Sequence, residues 1–371
     1  MAQTKDYNLG SFDFPRGWFM IAEASELDAG PLALRFFGKS FALYRGESGR
    51  LVCLDGHCKH MGAHLTASRT ASIAAHGEQI EGDAIRCPYH GWRYRADGVV
   101  DDIPGFAGPC PKSAKIESHI VREVMGAVMM WHDPEGGEPH YDPPFLAEWD
   151  APNWVNGSYD HLGMLPVHPQ EVLDNMADAN HLGPTHGSPT EYFENEFAEH
   201  VYIQRQGGFR REYDAWLTTY TWYTGPGLLL SRQAIGDFRG IEFIFHTPVD
   251  DGSVKVWHNN LMLVGTDTPG PEEIAAAKAM QQEVLDAFSQ DFEIWFSKEP
   301  AIRIMGVPTE RNFELGRSWY RQFYNPLGDA GRFHKIAQGR HVPIHKDPPH
   351  EVAREVEPPE SQLFAAEEIQ R

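Results

Sequence analysis

The stretch HCKHMGAHL, residues 57–65, places one of only four cysteines in the chain among three histidines. A second stretch, CPYHGW at residues 87–92, again sets a cysteine close to a histidine. Cys58 and His60 form a C-x-H pair, and Cys87 and His90 form a C-x-x-H pair. Donors this close in sequence must leave one tight loop together, and two such loops can grip a single centre from opposite sides. Two thiolates and two imidazoles suit either tetrahedral zinc or a [2Fe–2S] cluster in which one iron takes both sulfurs and the other both nitrogens. Mixing Cys and His within each loop favours the cluster, because zinc fingers usually pair like with like. Gly62, Pro88, Gly91 and Gly98 supply bends and bare backbone that can aim N–H groups at bridging sulfides.

On these residues the sequence resembles the Rieske family: CKHMGAHL and CPYHGWRYRADGVV match its two cluster-binding loops, residues 56–64 and 86–93 here. The resemblance implies a [2Fe–2S] cluster on Cys58, His60, Cys87 and His90. His57, His64 and His76 read as polar loop residues, and Cys53 and Cys110 as small buried fillers. The gap between the pairs, residues 61 to 86, is longer than the family's usual one. Its extra segment, TASRTASIAAHGEQIEGD (66–83), is an insertion that costs little in loop closure.

Outward from these loops, 371 residues allow two or three domains and a large core. With 41% apolar and 23% charged residues the composition is that of a globular protein. No apolar run approaches the roughly 20 residues of a membrane span. The start, MAQTKDYNLGSFDF, has neither a basic n-region nor an apolar h-region. Few cysteines and no export signal lead us to expect a reduced, cytoplasmic protein. A net charge of −21 argues against a nucleic-acid binder. It suits docking to a basic partner surface, or simply solubility. No G-x-G-x-x-G follows a strand pattern, so a nicotinamide cofactor is not expected on this chain.

The first 130 residues read as short strands. FALYRGESGRLVCL (41–54) alternates apolar and polar residues about a Gly-containing turn, a hairpin signature. HDPEGGEPHYDPP (132–144) is rich in Pro and Gly and marks a boundary. Beyond it, REYDAWLTTYTWYT, GIEFIFHTPV and VKVWHNNLMLV read as strands. PEEIAAAKAMQQEVLDAFSQDFEIWFSK (271–298) reads as a long helix opened by Pro271 and two acids. The Pro-rich, charged tail is expected as an extended surface strap.

An electron carrier needs only the first domain, so the rest of the chain must do something else. DNMADANHLGPTHG (174–187) sets Asp178 and His181 three apart on one face of an expected helix. Gly183-Pro184 should break that helix and let His186 swing round from the next turn. Two histidines plus a carboxylate from elsewhere make a facial triad with open positions on non-haem Fe(II). Asp291 is the expected carboxylate. It falls on one helical stripe with Val284, Phe288 and Trp295, where an unpaired acid is costly. A salt bridge to an arginine is the alternative, and Glu293 is a rival ligand off the stripe.

These motifs resemble the catalytic domain of Rieske non-haem iron oxygenases. D-x-x-H-x-x-x-x-H stands as Asp178, His181 and His186, and QDFEIW resembles the helix with the third ligand. The implied fold is α+β: an all-β Rieske domain over 1–145, a helix-grip-like α+β catalytic domain with an antiparallel sheet over 146–340, and a tail over 341–371. HGSPTEYFENEFAEHV (186–201) looks like the oxygenase components of 3-ketosteroid 9α-hydroxylases and, more loosely, animal cholesterol 7-desaturases. The implied activity is insertion of one atom of O2 into a C–H bond of a hydrophobic, steroid-like substrate. Electrons would come from a separate NAD(P)H-dependent ferredoxin reductase carrying flavin and an iron–sulfur centre, or from a ferredoxin. An aromatic monooxygenase or an O- or N-demethylase is the enzymatic alternative, and an electron-transfer protein the non-enzymatic one. By the same resemblance, Asp178 bridges His181 to His90 of the partner subunit in a homotrimer; Asn175, one turn further back on the same expected helix face, is expected as a polar neighbour of the iron rather than a ligand. Trp216, Tyr220, Trp222, Phe243 and Phe245 are expected to wall the substrate pocket, although strand alternation leaves their face undecided.

Overall fold

The hairpin read in residues 41–54 is present: Lys39–Arg45 pairs antiparallel with Leu51–Asp55 about a turn that Gly49, at φ 88°, can adopt without strain. The structure is a computed structural model that describes residues 2–307, 310–346 and 356–364. The chain divides into two units, residues 20–132 and residues 1–19 with 133–371.

The first unit is built of small antiparallel sheets. One has the strand order Leu32–Phe36, Lys39–Arg45, Leu51–Asp55, Ser118–His119. A second joins Ile80–Glu81, Ala84–Arg86, Arg93–Tyr94 and Val100–Asp102. Leu54, Leu65, Ile85, Tyr94 and Val100 form one core with Cys58 and Cys87, so both Cys/His loops stand on packed apolar side chains. The inserted segment contains one short helical turn, Ser72–Ala75. Gln79 ties it down: its buried side chain donates to the carbonyls of Leu65 and Arg86, the latter at 2.9 Å.

The second unit carries a nine-stranded antiparallel sheet. Val201–Arg210, Ala215–Thr224, Leu228–Ile235, Phe238–Pro248 and Val254–Leu263 follow one another as neighbours. Tyr192–Ala198 flanks the first of these, and Val254–Leu263 is shared at the other edge by Trp154–Asn156 and Asp160–Leu165. The long helix runs Pro271–Ser297, with proline in its first turn and the Glu273 carboxylate accepting the Gly270 N–H at 2.9 Å. It turns Ala277, Gln281, Phe288, Asp291 and Trp295 inward. Among the described residues no helix is long and apolar enough to cross a membrane.

Three expectations need correction. The division falls at 132/133 rather than 145/146, and residues 1–19 belong with the second unit. There the Thr4 N–H donates to Asp251 at 2.8 Å, Tyr7 donates to Glu171, and Asn325 donates to the Leu9 carbonyl at 2.9 Å. Next, residues 168–187 hold two short helices, Pro169–Asp174 and Leu182–His186. The chain breaks at 175–181, and Gly183-Pro184 lie inside the second helix. The proline is tolerated because first-turn N–H groups have no intrahelical partner. Last, the tail is not simply a strap. Gly339–Ile344 adds a strand beside Tyr192–Ala198, and Glu360–Phe364 is a helical turn that buries Leu363. Residues 347–355 and 365–371 of that tail lie outside the described residues.

Candidate metal centres and substrate cavity

The two loops of the first unit are built alike. In one, the Cys58 N–H donates to Ala63 at 2.9 Å and the Gly62 N–H returns to Cys58 at 2.9 Å. In the other, Cys87 donates to Trp92 at 2.8 Å and Gly91 to Cys87 at 3.0 Å. Gly62 and Gly91 have φ of 73° and 74°, the left-handed turn that the hydrogen bonds require. The thiols are buried, and the His60 and His90 rings sit exposed with centroids 4.6 Å apart. His60 stacks on Trp92 at 4.7 Å. Two inner sulfurs and two outer nitrogens fit a diiron cluster buried at one iron and solvent-facing at the other. The Cys58 thiol is held below the usual thiol range, first by its hydrogen bond with Cys87 and then, against burial, by Tyr94. Tyr94 donates to the Cys58 sulfur at 3.1 Å and accepts the Lys59 N–H at 2.8 Å. Arg86 braces the second loop by donating to the Gly91 carbonyl at 2.8 Å. His64 accepts the Thr66 N–H at 3.2 Å, His76 bonds the Ser72 carbonyl at 2.8 Å, and Cys53 lies buried against Met130.

In the second unit His181, His186 and Asp291 converge, with a ligand atom of each lying within 4.8 Å of the others. His186 Nε2 is 3.4 Å from Asp291 Oδ1. The chain fixes how each donor is presented. His181 Nδ1 bonds the Asp178 carbonyl at 2.6 Å, and His186 Nδ1 bonds Gln290 Oε1 at 2.9 Å, so both rings offer Nε2. Asn175 donates to Asp291 Oδ2 at 2.9 Å and leaves Oδ1 toward the histidines. Engaging the far side of each ligand is what orients a metal site, and this donor set fits a divalent first-row ion. Asp178 and His181 are not on a helix face. Asp178 Oδ1 accepts the N–H groups of Asn180 and His181 at 3.0 and 3.1 Å, a turn that starts the second short helix. Glu293 points to solvent. Gln290 was not foreseen; its position next to Asp291 was the only signal.

His181, His186 and Asp291 line a cavity of about 390 Å3. Leu217, Thr219, Thr221 and Tyr223 line it too, with Leu229, Ser231, Gln233, Glu242 and Ile244 from the adjoining strands. None of Trp216, Tyr220, Trp222, Phe243 and Phe245 does. The expected wall is on the wrong face of the sheet, because residues one apart on a strand point to opposite sides. Phe243 instead packs edge-on with Tyr159, Trp149 and Phe245, and Lys346 lies 5.8 Å over the Trp216 ring.

Beside the cavity, on the same face of the sheet, lies an ion network that sequence alone does not reveal. His258 is fully buried, with Nδ1 2.9 Å from Asp160 and Nε2 3.4 Å from Glu242. Burial works against its charge, but Asp160 and Glu242 outweigh it and push the imidazole up to about 9. Gln281 steadies Asp160 at 2.9 Å from the long helix.

Residues 17–117 match the Rieske [2Fe-2S] domain family, and residues 130–324 match the 3-ketosteroid 9alpha-hydroxylase C-terminal domain family. Over 336 residues the chain is 30% identical to a 3-ketosteroid-9-alpha-monooxygenase oxygenase component of Rhodococcus rhodochrous, covering 85% of this chain and 83% of that one. It is 29% identical to cholesterol 7-desaturase of Bombyx mori, covering 84% and 70%. Among solved structures, NdmB of Pseudomonas putida CBB5 has a TM-score of 0.65 at 19% identity, over 88% of this chain and 96% of that one, a likeness of fold.

Proposed function

Because this chain belongs to the 3-ketosteroid 9α-hydroxylase family of Rieske oxygenase components, we propose that it inserts one oxygen atom of O2 into a C–H bond of a steroid-like substrate. Electrons reach it from a separate NAD(P)H-dependent reductase. The observation that carries this reading is the meeting of two imidazoles and a carboxylate in the wall of a cavity of about 390 Å3. That volume falls within the ~300–1,000 Å3 of small-molecule sites. Cys58, His60, Cys87 and His90 would hold the cluster and His181, His186 and Asp291 a ferrous ion; bound there, they supply one-electron relay and O2 activation.

The chain's own residues prepare that chemistry. The Asp178 carbonyl and Gln290 keep the ring protons on Nδ1 of His181 and His186, and Asn175 keeps one oxygen of Asp291 engaged. Leu229, Ile244 and Phe288 keep the cavity dry on its apolar sides. We infer a homotrimer in which the Asp178 carboxylate, 31% exposed, bridges His181 to His90 of the partner subunit. Both Asp178 and His90 being open to solvent supports this. Few cysteines support a cytoplasmic enzyme.

The test is substrate-dependent NADH and O2 consumption by the metal-loaded protein with a reductase, across steroids and small aromatics, with products identified by mass. Steroids should drive uptake in proportion to hydroxylated product. Turnover confined to small aromatic acids or methyl ethers would replace the substrate class with that of the smaller-pocket oxygenases.

A further inference from the structure

The sheet face that lines the cavity is not uniformly apolar. Register sets Thr221, Ser231 and Glu242 side by side across three strands, with Thr219 and Gln233 side by side on the next rung. All five line the cavity. Thr221 and Ser231 share a hydrogen bond at 2.7 Å, and Gln233 Nε2 donates to Glu242 Oε2 at 2.8 Å. The Thr219 hydroxyl, in a residue only 5% exposed, has no partner. Leu229 and Ile244 flank this band on one side, and Leu217 and Ile235 on the other.

A carboxylate in such a wall is costly unless something compensates it. His258 does so from the neighbouring strand at 3.4 Å, held in turn by Asp160 at 2.9 Å. Gln233 and His258 thus fix Glu242 in place as an acceptor. An ionised carboxylate has lone pairs and no proton. A ketone also only accepts, so a ketone against Glu242 gains no hydrogen bond from it, while Gln233 and His258 remain the partners of the carboxylate. A hydroxyl donates to Glu242 and can accept from Thr219 or Ser231 in the same band.

We propose that this polar band recognises a hydroxyl group, and that the steroid-like substrate is an alcohol, not a ketone, at the end that meets Glu242. The inference rests on the steroid reading above and adds the functional group. The charge-assisted bond is worth about a ten- to hundredfold preference in binding.

The experiment is calorimetric titration of resting, metal-loaded protein with matched steroid pairs that differ only as alcohol or ketone at one ring position, without turnover. One pair or more should show the alcohol bound at least tenfold tighter. Glu242→Gln, which keeps the shape and can donate to a ketone, should erase or invert that ratio. If Glu242→Gln does not accumulate folded, Glu242→Asp, which draws the acceptor back from the cavity, takes its place and should reduce the same ratio. Equal or tighter ketone binding in every pair, or a ratio the substitution leaves untouched, overturns this inference alone. Binding of neither member of any pair overturns the steroid reading and this inference with it.

Discussion

Replacing Tyr94 with phenylalanine removes one oxygen from the floor of the cluster site. That oxygen donates to Cys58 Sγ at 3.1 Å and accepts the Lys59 N–H at 2.8 Å, inside a side chain with no exposed surface. Burial, and then Cys58, keep the phenol protonated far above the working range, so it is always a donor. With Cys58 as a cluster ligand, the added electron enriches the sulfur and strengthens this bond. A hydrogen bond to a charged group is worth about 1.5–3 kcal/mol in all. Only the difference between oxidation states shifts a potential, and taking that as about 1 kcal/mol gives a fall of about 40 mV for one electron. The stranded Lys59 N–H adds about 1–3 kcal/mol of destabilisation. A redox titration followed by circular dichroism of the cluster measures the first effect, and thermal unfolding of the same sample the second. A fully loaded Tyr94→Phe cluster whose potential is unchanged or raised would refute the hydrogen bond to the ligand sulfur.

Asp291→Ala should abolish hydroxylation and lower iron from about three to about two per chain, with the cluster's visible spectrum intact; retained hydroxylation removes Asp291 from the triad. Asp178→Asn should keep iron and a reducible cluster yet slow single-turnover oxidation of the reduced cluster by O2 and substrate, and normal rates would end the bridge proposal. Phe243→Ala, behind the sheet, should cost about 3–5 kcal/mol of stability with little change in substrate affinity; a weakened affinity at unchanged stability would return Phe243 to the pocket. His258 has its folded value raised from 6.5 to about 9, so its stabilisation is present in full below 6.5 and is lost as pH rises through 9. At 1.36 kcal/mol per unit that amounts to about 3 kcal/mol. Denaturant midpoints should therefore fall between pH 6.5 and 9.5, and Asp160→Asn should flatten that slope.

The parts of this molecule that sequence made legible are those whose chemistry is local. Cys58 with His60 and Cys87 with His90 declare a loop by spacing alone, and Asp291 announces itself as an acid on an apolar helical stripe. The cavity wall did not. An aromatic strand such as AWLTTYTWYT has two apolar-compatible faces, and its parity is fixed only by what lies on each side, the cavity and the helix Pro271–Ser297 on one and Arg205 over Tyr220 with Lys346 over Trp216 on the other. Asp178 was assigned to a helix because its spacing to His181 is helical; the competing turn in which an aspartate caps N–H groups two and three residues on has the same spacing. Glu242 and His258 lay hidden because their pairing depends on strand register, with Glu242 facing Asn260 and His258 facing Ile244 across the ladder.

The attachment of residues 2–19 to the second unit bears on the order in which the nascent chain acquires structure. Residues 20–132 are continuous and can fold once they have left the ribosome. Thr4, Tyr7 and Leu9 must wait for Asp251, Glu171 and Asn325, so this stretch finds its place only after chain far downstream of it has been made. Until then the side chains of Tyr7 and Leu9, buried in the finished fold, stay open to water. Binding of that stretch by a chaperone during translation would protect the yield of folded protein.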